Sequence, residues 1–328
     1  MRAARLLSVL ACLLFALPVA ATHPGGPALD LNILVTNDDG FDSAGLAAVR
    51  QALINAGHTV TLVAPATQQS GKGGSINTGV LDFTVGEGTR MLVNHGDGVW
   101  SFDGSPSDCV GAALDVVMAA NPPDLIISGL NEGQNLGKPG SNASGTIGAA
   151  LRGTFNGIPA IAGSVEILFA ESGDDFPSTV AAYGPAADFM ARLVDRLTER
   201  NGTRILPPLT RLLNVNFPVP YPDILGVKTT RLADAGNFGL PLFDPSQGFP
   251  PLGVPPLPFP SCADADTAGE FCFVSIGVEF SSDPDAVANS DTDAINEGFI
   301  SITPMDADMT GSFFSVIKTA LQVNNLAP

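Results

Sequence analysis

The sequence predicts an α/β protein, a parallel sheet with helices packed on both faces. Three observations lead there. Short apolar strands alternate with helical patterns from residue 31 to about residue 216, and glycine, proline and asparagine mark the junctions. Of the 328 residues 45% are hydrophobic and 15% charged, enough apolar material for a core covered on two sides. Glycine and proline, 36 and 27 residues, make the chain rich in loops while leaving it below low-complexity composition.

In chain order, Leu31 to Thr36 is an apolar strand that runs into Asn37-Asp38-Asp39-Gly40. Ser43 to Ala56 has helical spacing, with Gly57 placed to cap it. His58 to Ala64 is the next strand, ended by Pro65. Ser105-Pro106 opens a second helix as cap and first-turn proline, and Asn121-Pro122-Pro123 stops it after Ala120. Asp124 to Ser128 reads as a fully buried strand. A Gly/Asn-rich loop leads into a helix over Ser144 to Asn156 and a strand over Ile158 to Gly163. A longer helix is expected over Ala186 to Glu199 and a strand over Leu212 to Asn216.

Composition changes near Asn237. Residues 241 to 260 hold eight prolines, which forbid a helix and favour an extended arm along the surface. Phe271 to Phe280 and Phe299 to Thr303 read as strands, and Ser312 to Leu321 as a closing helix. The expected organisation is a signal over 1–21, a core over 22–236, a Pro-rich β arm over 237–310 and a helical tail over 311–328. The arm's apolar strand faces need cover, so a second subunit is expected against them.

At the N-terminus, Arg2 and Arg5 precede an apolar run from Leu6 to Leu17 and then Val19-Ala20-Ala21. This pattern is that of a secretory signal cleaved after Ala21. A membrane anchor is the competing reading, and the run is short for it; a lipid-modified Cys12 is disfavoured because the apolar stretch continues beyond it. The chain is therefore expected to be exported, periplasmic or secreted, with no membrane span once cleaved. Its net charge of −18 becomes −20 when the two arginines are removed (13 basic against 33 acidic). Such a balance excludes grip on a nucleic acid duplex by phosphate neutralisation.

Export also decides how the cysteines read. Cys262 and Cys272 bracket a short acidic loop and are expected to pair, while Cys109 is expected to be a buried thiol. With His23, His58 and His95 as the only histidines and no CxxC spacing, a metal here would be hard and oxygen-bound.

Chemistry is expected outside the carboxyl ends of the strands, where open parallel sheets bind ligands. Asp38-Asp39 lies at one such end and Asn131 just beyond another. Adjacent carboxylates repel unless a cation or a shared proton compensates, and Mg²⁺, Mn²⁺ or Ca²⁺ would do so with oxygen ligands. The alternative is that the pair merely caps the helix that follows. Two Gly-rich loops, Gln68 to Ser75 and Ser128 to Gly137, leave the same sheet edge, and Ser144-Gly145-Thr146 begins a helix. Their amides and hydroxyls suit an anion, although each loop alone is an ordinary turn. Lys72 lacks the spacing of a Walker loop.

Taken in order, Ile33 to Gly40, Val63-Ala-Pro65, Ser70-Gly71, Gly104 to Val110, Asp124 to Asn131, Gly133-x-Asn135-x-Gly137, Ser144-Gly-Thr146, Gly157 to Ala160 and Leu213 to Asn216 resemble the SurE-type survival-protein nucleotidases. Thr292-Asp293, Gly298 to Pro304 and Asp308-Met-Thr310 continue the likeness. The resemblance implies a Rossmann-like three-layer fold and a metal-dependent phosphomonoesterase acting on nucleoside 5′- or 3′-monophosphates, often described as an acid phosphatase. It implies metal ligands at Asp38, Asp39, Ser70 and Asn131, with Asp38, Asp39 and Asn131 central to catalysis. Gly40, Asn135, Ser144, Gly145 and Thr146 would lie near the phosphate. It also implies a C-terminal arm exchanged in a homodimer or homotetramer.

Two stretches depart from that pattern, Lys138 to Ala143 and the Pro-rich segment. Sequons stand at Asn142 and Asn201; a glycan on Asn142 would block the phosphate loop, which favours a bacterial envelope. A second function class stays open at this point, an exported nucleotide- or anion-binding protein without catalysis on the same fold.

Overall fold

The computed structural model describes residues 30–77, 89–171, 176–198, 211–220, 223–236, 238–239, 241–249, 253–265, 270–276, 279–280 and 285–306. The expected signal and closing helix lie outside these residues. The first half comprises β1 (Asn32–Thr36), α1 (Ala44–Asn55), β2 (Thr59–Pro65), β3 (Leu92–Gly96), β4 (Val99–Phe102), α2 (Pro106–Ala112) and β5 (Leu125–Glu132). Next come α3 (Gly137–Ala143), α4 (Gly145–Phe155), β6 (Ala160–Val165), α5 (Pro177–Leu197), β7 (Arg211–Phe217) and β8 (Gly226–Thr229). Four two-residue strands follow, β9 (Phe238–Gly239), β10 (Leu242–Phe243), β11 (Ser275–Ile276) and β12 (Glu279–Phe280), then α6 (Asp291–Asn296) and β13 (Phe299–Asp306).

The main sheet has nine strands in the order β3-β4-β2-β1-β5-β6-β7-β13-β8. From β4 to β7 all neighbours are parallel, while β3 and β13 run against β4 and β7. Alternate residues of each strand serve opposite layers, as the pleat requires. Ile33, Val35, Leu125 and Ile127 pack under α1 and α5 with Leu46, Leu53 and Met190. Leu34, Ile126 and Ala162 pack under α2 and α4 with Val110, Ile147 and Ala150. The result is the expected three-layer α/β architecture.

Local chemistry sets the helix starts. Ser105 accepts from the Asp108 N–H while the Asp108 carboxylate accepts from Ser105, a reciprocal cap worth about 1 kcal/mol with Pro106 in the first turn. Ser144 caps α4 by accepting from the Ile147 N–H at 3.1 Å.

Several expectations need correction. The helix opened by Pro106 loses α geometry at Ala112 and continues as one wider turn over Ala113–Val117. The hairpin of β3 and β4 was not anticipated; its signal was Asp97-Gly98, both at positive φ in the turn, and β3 is an edge strand whose polar exposed residues hide the alternation. α5 begins nine residues before Ala186, because Pro185 sits inside the helix rather than at its start. Among the described residues of Phe271 to Phe280 only β11 and β12 pair, each with a two-residue partner, β10 and β9. The strand at Phe299, placed with the arm, joins the core sheet between β7 and β8 and runs on to Asp306. Cys262 and Cys272 are joined as a disulfide, and Cys109 is a buried free thiol whose pKa burial raises. Among the described residues no helix is long and apolar enough to cross a membrane.

Candidate active site

The chain leaves β1 toward β2 on one side and later returns to β5 on the other, so strand order reverses between β1 and β5. A crevice opens at the carboxyl ends of such a pair. Asp38 and Asp39 follow β1, and Asn131 is the penultimate residue of β5. Sequence position and topology thus place both motifs at one point.

Asp38 is buried, and α4 is built around it. Thr146 Oγ1 donates to Asp38 Oδ1 at 2.5 Å, and the Gly145 and Thr146 amides also bond this carboxylate. A Cβ on Gly145 would lie 2.8 Å from Asp38 Cβ and Oδ2, so only glycine lets the first turn of α4 close on the acid. The Asp38 carbonyl accepts the Gln69 N–H at 2.7 Å, which ties down the loop bearing Ser70. Asp39 is held by other partners: its Oδ2 accepts the Glu132 N–H at 2.9 Å and its Oδ1 accepts Gln68 Nε2 at 3.2 Å. Burial raises the pKa of both acids, and for Asp39 the Asp38 charge adds to it, pushing the value up to about 7.

Asn131 carries the most direct sign of a ligand. Its Nδ2 donates to the Gly133 carbonyl at 2.5 Å, which turns its Oδ1 away as a buried acceptor without a partner. A buried carbonyl oxygen left unbonded is costly, and Asn131 directly precedes Glu132, whose N–H holds Asp39, so its place at this strand end fits a cation. Among the described residues no three His, Cys, Asp or Glu side chains converge as a metal cluster. The groups expected as ligands from the sequence, two carboxylates, an amide oxygen and the exposed Ser70, are all oxygen donors, a hard set of the kind that suits Mg²⁺, Mn²⁺ or Ca²⁺.

The other residues expected from the sequence near a phosphate have the following partners within the chain. Asn135 is turned into the sheet: its Nδ2 donates to Ser164 Oγ at 2.8 Å, and its N–H to Asn216 Oδ1 at 2.8 Å. Its carbonyl accepts from the Asn214 and Asn216 amides. Ser144 is the α4 cap, and Gly145 and Thr146 serve Asp38. Gly40, at φ +113°, lets the chain turn sharply after the two acids, and its N–H donates to Asn37 Oδ1 at 3.3 Å.

Sequence reasoning missed Gln68, the Glu132 amide and Asp291. The carboxylate of Asp291, fully buried, accepts from Gly137, Ala233 and Thr292 N–H groups at 2.9 to 3.0 Å and fastens the site loop to the C-terminal region. The sequence motif there is Thr292-Asp293; the local signal for Asp291 is Ser290, which caps α6 and so puts Asp291 at its first position. Asn214 and Asn216 were visible as two polar residues on one face of an apolar strand.

A family model described as survival protein SurE matches residues 33–237, a span that includes every residue of this site except Asp291. The chain belongs to the SurE family. A 5′-nucleotidase SurE of Methanocella arvoryzae is 40% identical over 205 residues, 61% of this chain and 72% of that protein. The 5′-nucleotidase SurE of Synechococcus elongatus is 31% identical over 285 residues, 85% of this chain and 95% of that one. The counterpart from Gloeobacter violaceus is 33% identical over 282 residues, covering 85% and 91%. The crystal structure of the SurE protein from Aquifex aeolicus superposes with a TM-score of 0.63 at 28% identity, covering 90% of this chain and all of that one. As a SurE protein the chain is an enzyme, a phosphoric monoester hydrolase.

Proposed function

We propose that this SurE protein hydrolyses nucleoside 5′- or 3′-monophosphates outside the cytoplasm, with Mg²⁺ or Mn²⁺ held by Asp38, Asp39, Asn131 and Ser70. The observation that carries the metal reading is the partnerless Asn131 Oδ1 at the end of β5, one residue from the amide that holds Asp39, where strand order reverses. The nucleotide substrate is supported by the names of the relatives, each a 5′-nucleotidase.

A divalent cation, when bound, supplies positive charge against phosphate oxygens and lowers the pKa of a bound water. The chain's residues prepare for that. Thr146 and the first amides of α4 fix Asp38, while the Glu132 amide and Gln68 fix Asp39, so neither carboxylate has to reorganise. The burial that raises the pKa of both acids also removes water that would screen the field between cation and phosphate. Asn135, locked by Asn214 and Asn216, and Gly137, locked by Asp291, keep the loop after Asn131 from drifting. Among the described residues no histidine hydrogen-bonds to Asp38 or Asp39.

Export is supported by the charged, apolar and small-residue order of residues 1–21 and by the Cys262–Cys272 disulfide, which fits an oxidising compartment. The test is turnover of adenosine 5′- and 3′-monophosphates by the purified protein. Activity should vanish in EDTA and return with Mn²⁺ or Mg²⁺. Tight nucleotide binding without phosphate release at any metal concentration would show a binding protein and overturn the proposal.

A further inference from the structure

The loop between the acidic pair and α4 is fastened at both ends. At one end the Gln69 N–H bonds the Asp38 carbonyl at 2.7 Å; at the other the Gly73 N–H bonds the Ala143 carbonyl at 2.9 Å, one residue before the α4 cap. Gly73 is pressed against α4 itself, since a Cβ on Gly148 would lie 2.1 Å from the Gly73 carbonyl oxygen. Only Ser70, Gly71 and Lys72 lie between the anchors, a span of at most roughly 14 Å fully extended. Lys72 is thus confined to the arch that joins the acids to the start of α4.

Its charge is uncommitted. Lys72 is exposed, and among the described residues its ammonium has no hydrogen-bond or ion-pair partner. Lys138 and Lys228, by contrast, are each paired with an acid, Asp234 and Glu297. In a chain of net charge −18 an unpaired cation in the short loop anchored on Asp38 stands out, because an incoming phosphate dianion meets repulsion from the acidic pair and from the molecule as a whole. A lysine at this place offers the approaching phosphate a compensating point charge with three donors.

We propose that Lys72 is a substrate-docking residue that binds the phosphate of the incoming monoester and favours the dianionic phosphomonoester over the singly charged phosphodiester. This rests on the reading of the site as a phosphomonoesterase. Lys72 acts in capture, before the chemical step, so its loss should weaken binding while leaving turnover at saturation.

The experiment compares wild type with Lys72→Met, Lys72→Arg and Lys72→Glu, all at saturating Mn²⁺ and checked for folding by circular dichroism. For adenosine 5′-monophosphate the Met variant should show KM raised about tenfold at low salt with kcat within about twofold of wild type, and Glu a larger rise. Arg should recover most of the affinity. The fall of kcat/KM with added salt should flatten in the Met variant, and the preference for adenosine monophosphate over bis(p-nitrophenyl) phosphate should narrow. Calorimetry with inorganic phosphate on the Mn²⁺-loaded proteins should show the same loss of affinity. Unchanged phosphate affinity and salt slope in the Met variant would overturn the role of Lys72. A wild type that binds phosphate through Lys72 but turns over no monoester would instead refute the functional reading and leave the anion contact standing.

Discussion

Asp38 and Asp39 are neighbours in sequence, yet each is satisfied by a different part of the molecule, Asp38 by α4 and Asp39 by the end of β5 and by Gln68. Both should be needed for a cation, so Asp38→Asn and Asp39→Asn should each reduce kcat/KM by at least about a hundredfold and weaken Mn²⁺ binding while the fold is kept. Near-normal turnover in both at limiting metal would refute the ligand assignment. The pH dependence follows from Asp39. Burial and the neighbouring Asp38 charge raise its pKa to about 7 in the folded chain from the ordinary carboxylate value of 3.8. The protonated form is therefore the one that favours folding: its contribution is complete below about pH 4 and is lost as pH rises through about 7. A bound cation favours the ionised form and reverses that loss. Mn²⁺ should accordingly raise Tm more at about pH 8 than at about pH 5, and Asp39→Asn should remove most of the difference. A shift in Tm that is independent of pH, measured by scanning calorimetry, would count against it.

Among the elements, α4 does most to shape the site, and its small residues explain how. Gly145 admits Asp38 and Gly148 admits the backbone of Gly73. In Gly145→Ala the new methyl meets Asp38 Cβ and Oδ2 at 2.8 Å, so the carboxylate or the helix start must move. Expected is a stability loss of about 1–3 kcal/mol and a larger loss of Mn²⁺ affinity than any exposed Gly→Ala change produces; calorimetric titration checks it. Elements of this kind were legible in the sequence where their signal is local. β1, α1 and α4 show it in apolar spacing, caps and flanking glycines, and Asp38, Asp39 and Asn131 in their place at strand ends. Contacts that join distant segments were not legible. Asn135 meets Asn216 across 81 residues and Gly137 meets Asp291 across 154, and no periodicity records either pairing. α5 hid its start behind Pro185, and β13 was grouped with the arm because sheet order is fixed by packing against β7 rather than by sequence position.

At the scale of the whole molecule, the segment between β9 and β12 stands apart from the main sheet and exposes an apolar surface. Leu242 and Phe271 are 69% and 67% exposed, and Val274, Phe273 and Phe259 are open as well. Phe273 touches both Phe259 and Phe271, at ring separations of 5.1 and 5.8 Å, next to the Cys262–Cys272 disulfide. Single exposed apolar side chains are ordinary; a contiguous aromatic group held in place by a disulfide and a proline-rich stretch is what a partner covers. The expected occupant is a second copy of the chain, burying more than about 1,000 Å² in total. Charge works against that association, because copies of net charge −18 repel one another. Added salt screens the repulsion and leaves the apolar contact, so the dimer should strengthen from about 20 mM to about 300 mM NaCl, opposite to an interface held by ion pairs. Static light scattering at micromolar protein should return a mass about twice that of the single chain at the higher salt. Phe271→Ser with Phe273→Ser should return the mass of one chain with activity on small phosphomonoesters retained. A single-chain mass for the unaltered protein across that range, or a dimer that the double substitution leaves intact, would place the interface elsewhere or remove it.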